Sequence, residues 1–333
     1  MNQRPSFVML LGLLGAAVCG LFVASLLVGP SDLTAGRALE ALFVNDGAAT
    51  LVMREIRLPR ALLGVSVGAT LGLAGAVLQG WLRNPLADSG VLGIGSSAAL
   101  GAVAAIVGGL AELSPLALPL AALAGAGASS VLVFLLAGRG EGCNSLILAG
   151  VAMASLTAAL TALVLNLSAN PFATLEIVFW TMGSLSDRSL DHVALALPFM
   201  AFGWLLLARV GRSLDAMTLG AETAQSLGVR LERVRAVILF ATAASIGAAT
   251  AVTGVVGFVG LVVPHVLRPL VGARPSRLMA ASAFGGAALL TAADLLVRLI
   301  VPDRDIKLGV VTAIVGAPFF FHLILHERRK AAR

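Results

Sequence analysis

Residues 209–235 read RVGRSLDAMTLGAETAQSLGVRLERVR, Arg209 to Arg235, with five arginines and three acids set between two long apolar runs. Each flanking run is long enough to cross a bilayer as a helix. The polar island is therefore tied at both ends to membrane spans while lying outside the hydrocarbon. Such an element suits docking of a soluble partner. Its centre runs Leu219-Gly220-Ala221-Glu222-Thr223-Ala224 and on to Leu227-Gly228.

Composition around the island fixes the class. Hydrophobic residues make up 59% of the 333 and charged residues 12%, with a mean hydropathy of +0.99. A soluble domain carries about 25% charged residues, so this chain cannot cover itself with a water-compatible surface. Uninterrupted apolar runs satisfy their own backbone hydrogen bonds as helices, which excludes a barrel of alternating strands. The expectation is an all-α polytopic membrane protein, one transmembrane domain over 1–333, its helices brought close by abundant Gly and Ala. The net charge of +6 does not indicate nucleic acid, because the arginines sit at span ends, where topology requires them. Cys19 and Cys143 lie in or beside apolar runs and support no disulfide or metal motif.

Ten spans are expected, near residues 7–28, 61–81, 91–110, 116–137, 146–167, 193–208, 236–256, 257–271, 278–300 and 308–325. The first is too long for a signal peptide core and reads as an uncleaved span. The boundary between the seventh and eighth is the least defined. Ten spans put both termini on one side. If that side is cytoplasmic, fifteen of the 23 Lys and Arg fall inside, including all five of the island, as the positive-inside rule requires. Segments 30–60, 168–192 and 299–308 then lie on the opposite, outer side. An internal echo points to an inverted repeat. Ser66-Val67-Gly68-Ala69 recurs as Ser245-Ile246-Gly247-Ala248, and Gly75, Val77, Leu82 and Pro85 recur at the same offset as Gly254, Val256, Leu261 and Pro264.

The spans hold one acid well inside apolar sequence, Asp294, with Arg298 a helical turn later. Together they read as an i,i+4 pair near the outer surface. An ion-coupled carrier, the alternative function, would want buried ionisable groups for its coupling ion. Nor can energy enter through this chain's own nucleotide site. The only lysines, Lys307 and Lys330, precede Leu308 and Ala331, and a P-loop needs Gly-Lys-Ser/Thr. No catalytic set is visible, and transport would be powered by a separate ATPase docked on the island.

Several strings now carry a resemblance. They are Ile56-Arg57-Leu58-Pro59-Arg60, Gly75-Ala76-Val77-Leu78-Gln79, Asn84-Pro85-Leu86-Ala87, Leu148-Ala149-Gly150-Val151, the island's LGAETAQSLG, Gly257-Phe258-Val259-Gly260-Leu261-Val262-Val263-Pro264-His265, Ala293-Asp294, Gly309-Val310-Val311-Thr312-Ala313 and Gly316-Ala317-Pro318. In this order the chain resembles, over nearly its full length, the FecCD-type permease subunits of ABC importers for iron–siderophore, haem and cobalamin. The resemblance implies a homodimer, two cytoplasmic ATP-binding subunits that bind ATP and Mg²⁺, a periplasmic binding protein, and a metal chelate as cargo. It implies no cofactor or resident metal on this chain.

By the same resemblance Leu219, Gly220, Glu222, Thr223, Leu227 and Gly228 form the ATPase contact, although Ala221 stands where many relatives carry an acid. Arg57, Arg60 and Arg298 match arginines that meet acids of the binding protein; Arg57 and Arg60 alternatively anchor a span end. Asn84 and Leu86 match one cytoplasmic constriction, with Asn84 capping a turn as the other reading. Gly142 and Cys143 stand at the second constriction, where relatives often carry small hydroxyl residues. Ile306-Lys307-Leu308-Gly309 departs from a proline usual before the last span. Glu176, Trp180 and Met182 lie in a segment, 171–187, that resembles a short helix over the pathway mouth. His265 reads as structural, and His322 with His326 lack a third metal ligand.

Overall fold

The computed structural model describes residues 6–29, 33–114, 116–137, 143–168, 170–272, 274–300 and 306–331, with backbone alone for 91, 111, 143–144 and 322–331. Fifteen helices follow one another: α1 (Phe7–Leu27), α2 (Ala35–Glu40), α3 (Ala48–Leu51), α4 (Leu58–Trp81), α5 (Ile94–Val107), α6 (Leu110–Leu113), α7 (Ala117–Leu136) and α8 (Cys143–Leu167), then α9 (Pro171–Thr181), α10 (Leu190–Met217), α11 (Ala221–Ser226), α12 (Leu231–Thr253), α13 (Val259–Val271), α14 (Pro275–Ile300) and α15 (Leu308–Ala331). Seven are long and apolar enough to cross a membrane, counting α3 and α4 as one helix, Ala48–Trp81. Shorter apolar helices, α5, α13 and the apolar part of α15, complete the ten expected.

Helices α4 and α12 are the buried centre, and α1 lies on the periphery. What lets other helices approach the centre is the absence of side chains. A Cβ on Gly72 would stand 2.0 Å from the Ser282 carbonyl oxygen, and one on Gly68 would stand 2.4 Å from that of Gly286. The α4–α14 crossing is thus backbone against backbone, the small-residue packing of membrane helices. The same device joins α5 to α7, where Gly101 meets Ala121 O and Gly125 meets Ser97 O.

Packing is exchanged between the halves. Helix α4 packs on α13 and α14, as α12 packs on α5 and α7. The first echo string falls in α4 and in α12, the corresponding helices. The second does not keep register: Gly75 and Val77 lie within α4, whereas Gly254 and Val256 lie beyond the end of α12.

Two departures from the expected spans matter for the site. First, a π-helical stretch, Val52–Arg57, joins α3 to α4 in one unbroken helix of 34 residues. At 1.5 Å per residue it is about 51 Å long, well beyond the hydrocarbon core of about 30 Å, and it holds Arg54, Arg57 and Arg60 in its N-terminal half. Second, both flanking helices run on into the island. Helix α10 continues to Met217 and α12 begins at Leu231, so the separate element shrinks to 218–230.

Candidate functional site

Between α12 and α13 the chain is not helical. Gly254 takes φ +71, and a Cβ there would lie 2.1 Å from Trp180 O, so only glycine fits. Helix α13 has 13 residues, about 20 Å, too short to cross the bilayer alone. Non-helical backbone in a membrane protein is tolerated where protein buries it or where it lines a cavity, and 254–258 does both. Ser184 N–H donates to Thr253 O at 2.7 Å, and Val255, Gly257 and Phe258 line a groove of ≈ 740 Å³ together with Met182, Ile314 and Phe321. The groove is walled by α15 and the end of α9 and is almost wholly apolar. Gly316 of α15 admits the Phe258 ring, 2.3 Å from where its Cβ would be. His265 stacks edge-on against Phe319, ring centroids 5.7 Å apart.

Helix α9 is set by its own sequence. Asn170 Oδ1 accepts from Phe172 N–H at 3.0 Å, and Pro171 opens the first turn. Of the three residues expected near the mouth, Met182 lines the groove. Glu176 and Trp180 line an adjoining cavity of ≈ 450 Å³ with Arg188 and Lys307. The Lys307 ammonium sits 5.2 Å from the Phe179 ring centre, so the string that departs from the expected proline makes a cation–π contact.

The loop after α4 reaches toward the groove. Asn84 Oδ1 accepts from Leu86 N–H at 2.9 Å, a capped turn of the kind the sequence allowed. Asp88 Oδ1 accepts from Ser89 N–H at 2.7 Å, and the carboxylate also takes the backbone N–H of Phe258. Burial pushes the Asp88 carboxyl up from its ordinary range, and these hydrogen bonds draw it back. Gln79 Nε2 donates to Gly260 O at 3.3 Å, and Arg268 donates to Gln79 Oε1 at 2.6 Å, fixing α13 to α4. Gly142 lies outside the described residues, as do the side chains of Cys143, His322 and His326.

At that same end of α4, Arg83 donates to Met217 O, the last carbonyl of α10. Asp215 accepts from Ser276 N–H at 2.8 Å and from Arg274 at 2.8 Å, tying α10 to the start of α14. The turn into α11 needs Gly220 at φ +114, and the turn out needs Gly228 at φ +86. Val229 N–H closes on Ala224 O at 3.0 Å and Gly228 N–H on Gln225 O at 2.8 Å, the 6→1 and 5→2 pattern of a glycine-terminated helix. Only Ala224 of α11 is buried. Glu222 and Thr223 face out, and Leu219 and Leu227 are 65% and 63% exposed.

At the opposite end of α4 the three expected arginines converge, but inward. Arg60 makes a bidentate pair with Asp294 through Nε and Nη2, the latter at 2.8 Å. Arg298 pairs with the other Asp294 oxygen at 2.8 Å, so the anticipated i,i+4 pair is a triad. Arg57 donates to Leu26 O and Leu27 O, each at 2.9 Å, and Arg298 to Ser25 O and Val28 O. Two guanidinium groups thereby satisfy the carbonyls that end α1. Arg57 is 3% exposed, and the side chains of Arg60 and Arg298 are 18% and 7% exposed. The sequence located these residues at one end of the bundle; it did not reveal that each is held by an internal partner. Arg83, Asp88 and Phe258 escaped notice as a set, although an acid four residues after Asn84 was a visible signal.

A model of the FecCD transport family matches residues 17–326. The Fe(3+)-citrate import system permease protein YfmE of Bacillus subtilis is 35% identical over 99% of this chain and 98% of its own length. The hemin transport system permease protein HmuU of Yersinia pestis is 36% identical, with 99% of each chain covered. A solved structure described as an inward-facing conformation of a metal-chelate type ABC transporter superposes with a TM-score of 0.84 at 29% identity, over 96% of this chain and 99% of the other.

Proposed function

The chain belongs to the FecCD transport family, and from that premise we propose that it passes a metal chelate inward as the permease subunit of an ABC importer. The observation that carries this reading is the groove against 254–258. It is apolar, walled by α15 and the end of α9, and lies beside a short loop whose other end touches the α10–α11 turn. A wall without charge holds a large chelate weakly enough for release. The cargo class, a ferric chelate or haem, is taken from the relatives' names.

In this reading two copies face each other and share the pathway. ATP hydrolysis falls to two separate subunits seated on Leu219, Gly220, Glu222, Thr223, Leu227 and Gly228. Two exposed leucines on an element outside the spans are what a buried contact requires. Both termini and α11 are cytoplasmic. Asn84 and Leu86, with Gly142 and Cys143, narrow the inner mouth. A binding protein docks at the far end, where its acid would enter the triad through Arg60, the least covered of the three arginines.

The test is uptake by the complex purified through a tag on this chain and placed in proteoliposomes, with ferric citrate and hemin as probes. Uptake is expected to require ATP on the α11 side and to cease with Glu222→Arg. Uptake that follows a proton gradient with no ATPase subunit present would establish a secondary carrier instead.

A further inference from the structure

We propose that residues 83–88 act as a strut between the α10–α11 turn and the groove, with Arg83 and Asp88 as its two positioning residues. The inference rests on the reading of α11 as the ATPase contact and of Asn84 and Leu86 as the inner constriction.

One end of the strut is Arg83, whose guanidinium donates to Met217 O, three residues before Gly220. Met217 O also takes Gly220 N–H at 3.2 Å, so Arg83 is the second donor on this carbonyl and grips the same atom that closes the turn into Gly220. The other end is Asp88, whose carboxylate takes the Phe258 N–H, an amide at the start of α13 that lacks an intrahelical partner. Contact there is close: a Cβ on Gly260 would lie 2.5 Å from Asp88 Oδ1 and 2.9 Å from Leu71 O. Phe258 then presses its ring on Gly316 in the groove wall. Met217, Arg83, Asp88, Phe258 and Gly316 thus form a continuous line of contacts from the turn to the pathway.

Two features distinguish a strut from ordinary anchoring. The connection is six residues long and is held compact by its own turn, with Ala87 N–H on Asn84 O at 3.1 Å and Leu86 N–H on Asn84 Oδ1 at 2.9 Å. Both anchor points also hold strained backbone, with Arg83 at φ +49 and Phe258 at φ +68. Left-handed conformations at residues other than glycine persist where the surroundings impose them, and they cluster at elements that move. If either anchor only stabilised the fold, its loss would lower stability without changing how far movement at one end reaches the other.

That difference is measurable by pulsed EPR in the complex reconstituted with its ATPase subunits. A single label at Gln225, an exposed residue of α11 outside the named contact set, or at Gly257, reports the copy-to-copy distance in the dimer. ATP is expected to shift both distances. Asp88→Ala and Arg83→Ala should each keep the shift at Gln225 and reduce that at Gly257 roughly tenfold. Asp88→Asn keeps an acceptor oxygen and should restore it. Anchors in series fail together, so the double variant should lose no more than either single one. If Asp88→Ala does not assemble, Arg83→Ala at the exposed end carries the same prediction. An undiminished shift at Gly257 in either alanine variant, or losses that add, would overturn the strut. A Gln225 label that ignores ATP in a parent complex that retains its ATPase subunits would instead remove the α11 assignment, and the strut with it.

Discussion

Asp294 holds Arg60 and Arg298 at once, each at 2.8 Å, with 4% of its own side chain exposed. One carboxylate therefore joins α14 to α4, and through Arg298 to the end of α1. Asp294→Ala leaves two guanidinium groups buried beside Arg57 without a counter-charge. Removing one partner of a buried pair costs about 3–5 kcal/mol. A lowered unfolding midpoint in detergent is expected, and a midpoint equal to the parent's would contradict this role. Arg60→Gln should cost less while weakening binding-protein capture at low salt.

Leu219 and Leu227 stand exposed on either side of α11, with Glu222 between them. Replacing both leucines by serine should leave thermal stability within about 0.5 kcal/mol, as for surface changes elsewhere. Recovery of ATPase subunits on an affinity column carrying the chain should fall several-fold. Full recovery would place the ATPase elsewhere.

Gly316→Ala tests the groove wall. The new Cβ would meet the base of the Phe258 ring at 2.3–2.4 Å, and that residue is held by Asp88. Overpacking of this kind costs about 1–3 kcal/mol. Uptake of hemin or ferric citrate is expected to drop more than the amount of assembled complex, measured by size-exclusion chromatography. Equal losses in both would make Gly316 a packing residue alone.

Gly72→Val tests the α4–α14 crossing. With 2.0 Å available to the Ser282 carbonyl, the helices must separate. The variant should fail to yield a monodisperse protein, whereas Gly12→Val, on the open face of α1 with nothing within 4 Å, should purify normally.

Composition and the arginine distribution made the helical membrane class and the number of spans legible, because bilayer thickness and backbone satisfaction leave few options for such a sequence. Family strings marked α11 and both ends of α4. Other features were not readable for physical reasons. Arg57 and Arg298 looked like surface cations because a one-dimensional sequence does not show that the carbonyls ending α1 need donors. Asp88 drew no reading because its partner amide, at Phe258, is 170 residues away in sequence. The island looked like one separate element over 209–235 because charge marks where a helix leaves lipid and does not mark where it stops: α10 runs on to Met217.

The single helix Ala48–Trp81 has a mechanical consequence. It carries Arg57 and Arg60 in its first half and ends two residues before Arg83. Pinned at its tight crossing with α14, such a helix would act as a tiller, in which a push on one tip swings the other tip the opposite way. The π-helical turn at Val52–Arg57 is where that tiller can yield. Movement at the Arg60 end of this helix would then appear at the Arg83 end, where the strut begins.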